Sequence, residues 1–169
     1  GNDTLSGGNH FDTIRGGDGD DRAWGGNGRD LVFLGNGNDV FWDNAQNDAN
    51  GHDTVYGGAG NDTVNGGGGN EQIFGEAGAD SLLGGIGNDT LSGGADADTF
   101  VFATGSGSDL VTDFANGVDV MRLASGAADF SAVTVTAQGA DTLVQFSDVS
   151  ILLAGVDASL IDAGDFVFG

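Results

Sequence analysis

A nine-residue phrase repeats along most of this chain. The phrase reads G-G-x-G-x-D-x-U-x, where U is a large apolar residue. After a partial copy at 1–6, ten copies begin at residues 7, 16, 25, 34, 48, 57, 66, 75, 84 and 93. An insertion, DNAQN at 43–47, interrupts the series, and a degenerate copy fills 104–112. A period this regular restricts the chain to stacked, repeated structural units.

Each repeat predicts one turn followed by one short strand. Glycine adopts positive φ easily, so the segment GGxGxD suits a tight turn. Because side chains alternate along a strand, we expect the eighth residue of each repeat to face inward. These eighth residues are all apolar: Leu5, Ile14, Ala23, Val32, Phe41, Val55, Val64, Ile73, Leu82, Leu91 and Phe100. The seventh residues are mostly polar, as an outward β face requires.

Two repeats complete one coil, and successive coils stack at the spacing of about 4.8 Å between strands. Turn n then lies against turn n+2, and their aspartates and carbonyl groups face a common gap. Carboxylates placed in this way destabilise one another unless a cation lies between them. The pattern therefore predicts an all-β solenoid of stacked coils with cations in its turns.

The charge balance supports a need for cations. The chain has 26 acidic and 4 basic residues, a net charge of −22, and 34 glycines. Such a chain repels itself and loses much backbone entropy on folding, so we expect it to be disordered without a counter-charge. The same charge argues against nucleic acid and anionic membranes as partners. No apolar run approaches the roughly 18 residues of a membrane span.

Oxygen donors in glycine loops favour calcium over other common metals. Ca²⁺ takes about six to eight oxygen ligands at about 2.3–2.6 Å, whereas Mg²⁺ requires a tighter octahedron and Zn²⁺ prefers His or Cys. The chain has no cysteine, and His10 and His52 stand at unrelated repeat positions. We expect roughly 6–8 bound Ca²⁺ ions in cages of this kind.

The repeat resembles the nonapeptide of the RTX (repeats-in-toxin) family, whose members form parallel β-rolls with Ca²⁺ between successive turns. The resemblance implies an all-β fold of this type, a right-handed, β-helix-like solenoid. Four copies, GGDGDD, GGNGRD, GGAGND and GGIGND, agree with the family pattern at every glycine and at the aspartate. The resemblance implies these acidic metal ligands: Asp3, Asp12, Asp21, Asp30, Asp39, Asp53, Asp62, Glu71, Asp80, Asp89, Asp98 and Asp109. It implies these carbonyl ligands: Gly16, Gly17, Gly19, Gly25, Gly26, Gly28, Gly57, Gly58, Gly60, Gly84, Gly85 and Gly87.

Stacking of turn n on turn n+2 pairs the implied ligands. The pairs with the best motif are Asp12–Asp30, Asp21–Asp39, Asp62–Asp80 and Asp80–Asp98. The pairs Asp30–Asp53 and Asp39–Asp62 depend on the insertion at 43–47, which either loops out or breaks the stack. Glu71 is one methylene longer than aspartate, so we expect it to push its ion outward. His10 removes glycine freedom from the first turn.

The glycine rhythm fades after about residue 113, where alternating segments indicate further strands. A solenoid needs a cap over the open end of its core, and 113–169 can supply one. The phrase VxDFxxGxDxxxL at 111–123 and the ending DFVF at 165–168 resemble the ends of RTX exports. That resemblance implies an uncleaved type I secretion signal. We therefore divide the chain into a roll, 1–112, and a cap with the signal region, 113–169.

The resemblance implies a secreted bacterial module, extracellular or at the cell surface, that folds on binding calcium. Its implied partners are the type I secretion machinery and an upstream passenger domain. The chain opens partway through a repeat, so we expect it to be part of a longer protein. Neither histidine has a convincing nucleophile or orienting partner, so we expect no catalysis by these residues and place any active site upstream.

An alternative function rests on aromatic residues at the ninth repeat position. They are Trp24, Phe33, Trp42, Tyr56 and Phe74, and alternation places two of them on one sheet and three on the other. Exposed aromatic rows often mark contact surfaces, which favours a glycan- or surface-binding accessory module of a secreted lyase, epimerase, protease or lipase. A polysaccharide would then be a partner. The competing interpretation is β-propensity and cross-strand packing alone.

Overall fold

The structure, a computed structural model, describes residues 1–43 and 51–169. Within these ranges the regular elements are β-strands and three 3₁₀ turns. The strands are β1 Thr4–Asn9, β2 Thr13–Asp18, β3 Arg22–Asn27, β4 Leu31–Asn36, β5 Val40–Trp42, β6 Thr54–Ala59, β7 Thr63–Asn65, β8 Gly68–Gly69, β9 Gln72–Ala77, β10 Ser81–Leu83, β11 Ile86–Gly87, β12 Thr90–Ala95, β13 Thr99–Phe102, β14 Ser108–Val111, β15 Val120–Leu123, β16 Thr134–Gln138, β17 Asp141–Phe146, β18 Val149–Leu153 and β19 Phe166–Phe168. The 3₁₀ turns are Phe130–Ala132, Ala158–Leu160 and Ala163–Asp165. No helix in the described ranges is long and apolar enough to cross a membrane.

The strands alternate between two sheets. The first sheet has the order β1-β3-β5-β7-β10-β13-β15-β19, and the second has the order β16-β17-β18-β14-β12-β9-β6-β4-β2. Neighbouring strands are parallel except in the β16-β17-β18 segment, which is antiparallel. Strands β8 and β11 form a small separate ladder in the turns. This alternation is that of a solenoid with two strands in each coil, so the predicted parallel β-roll is confirmed.

The pairing register joins residues two repeats apart. Leu5 lies opposite Ala23, and Ile14 lies opposite Val32. The eighth residues form the core between the sheets, and all of them are buried except Leu5 in the first strand, which is partly buried. Burial of this continuous apolar column drives the stacking of the coils. The prediction that the eighth residue faces inward is confirmed.

The stack continues across the insertion. Val32 lies opposite Val55, and Phe41 lies opposite Val64, in the same parallel ladders as their neighbours. The separation between partners is 23 residues here, against 18 in a regular pair of turns. The insertion therefore does not break the stack.

Asp43 takes the register of a first repeat residue. Its N–H donates to the Asn65 carbonyl oxygen at 2.9 Å, just as the Gly66 N–H donates to the Leu83 carbonyl oxygen at 2.9 Å. Asp43 therefore belongs to the repeat series, whereas the sequence-based insertion at 43–47 included it. The expected placement of residues 48–49 in the glycine pair lies outside the described residues.

The second and fourth residues of the turns adopt positive φ, as the glycine pattern predicts. Gly17 has φ 107° and Gly19 has φ 117°. His10, Glu76 and Asp96 replace glycine at such positions and still adopt φ 77°, 76° and 78°. A side chain in this conformation carries a strain of about 1–2 kcal/mol. The stack therefore imposes the turn conformation even where the local sequence opposes it.

The C-terminal residues continue both sheets. Met121 of β15 lies opposite Phe100 on one side and Phe166 of β19 on the other. In the second sheet β18 pairs with β14, and β17 and β16 extend the sheet as an antiparallel hairpin. The ring of Phe130 packs against Phe166 with centroids 5.4 Å apart. This part of the chain therefore shares its apolar interior with the roll.

Candidate metal sites in the turns

The acidic sixth residues form two columns, one on each side of the roll, because alternate turns lie on opposite sides. One column contains Asp12, Asp30, Asp53, Glu71, Asp89 and Asp109. The other contains Asp3, Asp21, Asp39, Asp62, Asp80 and Asp98. All are buried except Asp3, which is exposed, and Asp12, which is half-buried. The structure therefore brings together the acidic residues in the pairs that the repeat predicts.

Nine of these carboxylates use one oxygen to accept a backbone hydrogen bond from the adjacent turn. The Asp62 N–H donates to Asp80 Oδ1 at 2.8 Å. The same bond spans the insertion, where the Asp30 N–H donates to Asp53 Oδ1 at 2.7 Å and the Asp39 N–H donates to Asp62 Oδ1 at 2.8 Å. The two pairs that depended on the insertion therefore have the geometry of the regular pairs.

The second oxygen of these carboxylates is buried without a hydrogen-bond partner. In the described ranges this applies to the Oδ2 atoms of Asp12, Asp21, Asp30, Asp39, Asp53, Asp62, Asp80 and Asp89, and to both carboxylate oxygens of Glu71. A buried charged oxygen without a donor is strongly destabilising, and a column of them multiplies the effect. A cation bound at these oxygens would therefore stabilise the turns.

The first glycines of several turns, Gly7, Gly16, Gly57 and Gly75 among them, lie where oxygens from two successive turns converge. A Cβ placed on Gly57 would lie 2.5 Å from Asp62 Oδ2 and 2.7 Å from the Gly75 carbonyl oxygen. A Cβ on Gly75 would likewise overlap Asp80 Oδ2 and lie 2.6 Å from the Gly93 carbonyl oxygen. Glycine at this position keeps open a space that is bordered by a carboxylate and a carbonyl oxygen.

The donor set fits calcium. In the described part of the chain, no three His, Cys, Asp or Glu side chains approach closely enough to hold a metal by themselves. Carbonyl oxygens must therefore complete each site, and a mixed set of carboxylates and carbonyls in adaptable loops is the preference of Ca²⁺. Of the predicted carbonyl donors, those of Gly25 and Gly84 border such spaces, at 2.5 Å and 2.7 Å from the Cβ positions of Gly7 and Gly66.

Some candidate ligands were missed by sequence reasoning. The carbonyl oxygens of Leu34, Gly75 and Gly93 border the same kind of space, and their first position in the repeat was the available signal. Asp119 extends one column, since the Asp98 N–H donates to Asp119 Oδ1 at 3.0 Å and the Asp119 side chain is 4% exposed. Asp119 directly precedes β15, as the sixth residues precede their strands.

Burial raises the pKa of the column carboxyl groups. Desolvation, aided by neighbouring carboxylates, raises the pKa of Asp53 and of Asp62 to about 7 and that of Asp80 to about 6. Burial and then the facing Asp89 carboxylate raise the pKa of Glu71 to about 10. Ion-free turns therefore hold protons near neutral pH, and a bound cation has to displace them.

The three aromatic residues of the second sheet stack on one another. The ring centroids of Phe33 and Tyr56 are 5.1 Å apart, and those of Tyr56 and Phe74 are 5.0 Å apart, with planes inclined by 6° and 12°. The Arg15 guanidinium lies 4.4 Å from the centre of the Phe33 ring. The ring faces are thus largely covered by neighbours, which leaves ring edges for any ligand.

The tryptophan pair of the first sheet is more accessible. Trp24 and Trp42 lie on β3 and β5, with centroids 5.6 Å apart and planes inclined by 33°. They are 37% and 36% exposed. If aromatic side chains of this protein stack on a ligand, the tryptophan pair has the more suitable geometry.

These features define the class of protein: a parallel β-roll whose turns offer carboxylate and carbonyl oxygens to calcium. A family model described as the RTX calcium-binding nonapeptide repeat (4 copies) matches residues 1–32, 24–49, 48–82, 65–100 and 74–111. The chain belongs to this RTX family, and RTX nonapeptide repeats bind calcium. No match was found among curated proteins.

Two solved structures match this chain, and the first of them supports the same type of fold. The chain is similar to the solution structure of the AlgE6R3 subunit of the mannuronan C5-epimerase from Azotobacter vinelandii, at 30% identity and a TM-score of 0.55, covering 68% of this chain and 76% of that one. It also matches the extracellular lipase LipA from Serratia marcescens at 21% identity and a TM-score of 0.46. That match covers 99% of this chain and 38% of the lipase.

Proposed function

We propose that this chain is a non-catalytic calcium module whose roll folds when the turn carboxylates bind Ca²⁺. The observation that carries the proposal is the pair of columns of buried carboxylate oxygens without hydrogen-bond partners. Ion-free, these oxygens repel one another in a low-dielectric interior. With calcium between the turns, the same oxygens become ligands, so binding and folding are one process.

The proposed sites lie between turns n and n+2. Each would combine the Oδ2 atoms of two stacked sixth residues with carbonyl oxygens of the first residues and of the turn glycines. The pairs across the insertion, Asp30–Asp53 and Asp39–Asp62, belong to this set, because their hydrogen bonds match those of regular pairs. We expect roughly 6–8 ions in total, with six to eight oxygens around each.

We further infer that the roll serves export and the folding of an attached passenger domain. RTX repeat proteins are typically secreted, and the 111–123 phrase supports a type I secretion signal within 113–169. In a cytosol poor in free calcium the chain would stay unfolded and pass through the exporter as a thread. Outside, abundant calcium would fold the roll, with 113–169 as its cap, and hold the module in an extracellular or surface location.

Equilibrium dialysis against calcium tests this function. Metal-stripped protein is expected to bind roughly 6–8 Ca²⁺ ions per chain at millimolar free calcium and almost none at submicromolar free calcium. Mg²⁺ at the same concentration serves as the control and should bind weakly, because it dehydrates reluctantly. Binding of at most one ion, or saturation already at submicromolar calcium, contradicts the proposal that the chain stays unfolded before export.

A second candidate function is glycan binding by the tryptophan pair. Arg22 precedes Trp24 by two residues on β3 and therefore points to the same face of the sheet, beside the exposed indoles. An indole that stacks on a sugar ring, next to a cation, suits an acidic polysaccharide. Replacing both Trp24 and Trp42 by Ser is expected to abolish binding on a glycan array. Replacing Phe74 by Ser is the matched control, and equal binding by all three proteins would exclude this function.

A further inference from the structure

Asp43 places a carboxylate where regular turns have glycine. Its register is that of a first repeat residue, and the Gly26 N–H donates to its Oδ1 at 2.6 Å. A Cβ placed on Gly25 would lie 2.8 Å from Asp43 Oδ1 and 2.9 Å from Asp30 Oδ2. One point in this gap is therefore bordered by oxygens of two different carboxylates.

In the regular turns, different oxygens lie beside the corresponding point. Above Gly57 the neighbouring oxygens are Asp62 Oδ2 and the neutral carbonyl oxygen of Gly75. At Gly25 the oxygen nearest to the Cβ position belongs to the Asp43 side chain. A charged oxygen thus stands where a regular gap has a neutral one.

The same gap already holds two unpartnered buried oxygens. Asp30 and Asp53 are 2% and 1% exposed, and the Oδ2 of each has no hydrogen-bond partner. Asp43 and Asp30 therefore both present a carboxylate oxygen to the point beside Gly25, whereas the point beside Gly57 has one carboxylate oxygen and one carbonyl oxygen.

We propose that Asp43 is an additional metal ligand, which makes the gap between Asp30 and Asp53 a stronger cation site than the regular gaps of the roll. This inference rests on the proposed calcium function. The added negative charge of Asp43 strengthens attraction to a divalent ion and still more to a trivalent one, because the Coulomb energy scales with the ionic charge. Ligand charge count is also what tunes calcium affinity over several decades in other oxygen sites.

Asp113 provides a matched comparison on the opposite side of the roll. It follows β14 in the register of a first repeat residue, above the turn that starts at Gly93. Its Oδ1 accepts from the Gly93 N–H at 3.0 Å, and its Oδ2 accepts from the Gly94 N–H at 3.0 Å and from Ser92 Oγ at 2.6 Å. Both of its oxygens are thus committed to donors of the turn, so we assign Asp113 a capping role.

Terbium luminescence tests the assignment, with Tb³⁺ as the probe. The two tryptophans of the chain are Trp42, which directly precedes Asp43, and Trp24, which packs on Trp42. Indole-sensitised emission therefore reports on ions bound beside these indoles, including an ion in this gap. The first equivalent of Tb³⁺ added to calcium-loaded protein is expected to give strong emission. In Asp43→Asn we expect Tb³⁺ to bind about tenfold more weakly here, while Asp113→Asn should match the wild type.

The outcomes separate this inference from the function on which it rests. If Asp43→Asn folds in calcium and keeps the wild-type Tb³⁺ affinity and first-equivalent emission, Asp43 is not a ligand and the inference is overturned. An equal loss in Asp113→Asn overturns it as well. If Asp43→Asn fails to fold, Asp43→Gly, which restores the residue of the repeat, is judged by the same criterion. A wild-type chain that binds neither Ca²⁺ nor Tb³⁺ refutes the calcium function itself.

Discussion

Metal-stripped protein at pH 7.5 is expected to lose most of its β-sheet circular dichroism and to regain it cooperatively when calcium is added. The midpoint should fall at roughly 10⁻⁴–10⁻³ M free Ca²⁺, the range of extracellular modules. The physical reason lies in the two carboxylate columns. In the unfolded chain these carboxylates are hydrated and ionise without penalty, whereas in the folded, ion-free chain their oxygens are buried without hydrogen-bond partners. Fluorescence of Trp24 and Trp42 reports the same transition at the first sheet.

Magnesium is the control for this titration, and a chain that folds without calcium would contradict the prediction. Mg²⁺ requires a tight octahedron, so it should not restore the β signal at concentrations at which calcium does. A chain that is already folded in chelator would mean that the carboxylates are tolerated without ions. Calcium-dependent folding, and with it the role proposed in export, would then have to be abandoned.

Mild acid is expected to replace calcium in part. In the ion-free roll, burial raises the pKa of Asp53, Asp62 and Asp109 to about 7, and that of Asp80 and Asp98 to about 6, from an ordinary value of 3.8. Because the folded pKa exceeds the unfolded one, protons bind the folded state more tightly. This contribution is fully present below about pH 4 and is lost as the pH rises through 6–7.

The metal-free chain should therefore show more β signal at pH 5 than at pH 7.5. Calcium affinity should change in the opposite direction, because protons compete for the same oxygens below about pH 7. Circular dichroism of stripped protein and calcium dialysis at the two pH values check both trends. A metal-free β signal that increases with pH would contradict the assigned burial of these groups.

Gly57→Ala is expected to remove about one calcium ion and to destabilise the calcium-loaded roll by about 2–4 kcal/mol. Gly57 is not among the glycines with positive φ, so its backbone accepts alanine without strain. The added Cβ would instead lie 2.5 Å from Asp62 Oδ2 and 2.7 Å from the Gly75 carbonyl oxygen, in the space proposed for the ion. Equilibrium dialysis measures the ion count, and urea unfolding in saturating calcium measures the stability.

Gly8→Ala is the matched control for this substitution. Gly8 has φ 103°, but a Cβ on it would meet no atom within 4 Å. The control should therefore lose about 1–2 kcal/mol through backbone strain and keep its full number of ions. If Gly57→Ala also keeps every ion, the first glycine does not border a metal site.

Much of this architecture follows from a local rule repeated along the chain. The nine-residue period, together with the alternation of side chains in a strand, predicts that Ile14 and Val32 face inward and that Asp62 and Asp80 stack. Both properties depend on spacing along the chain, which is visible in the sequence. The fold class, the two-repeat register and the identity of the acidic columns were therefore predictable.

Other features depend on which turns of neighbouring coils are in contact, and these could be found only from the tertiary structure. The motif could not say whether the insertion breaks the stack, and it assigned Asp43 to the insertion because Asp43 does not look like a first glycine. The nine-residue step from Leu34 reaches Asp43, but only the hydrogen bond to Asn65 in the next coil shows that the chain keeps this register. Asp119 joins a column for the same reason, through the Asp98 N–H. Contacts between coils are made through space by residues about 20 apart, and no period in the sequence encodes them once the spacing changes.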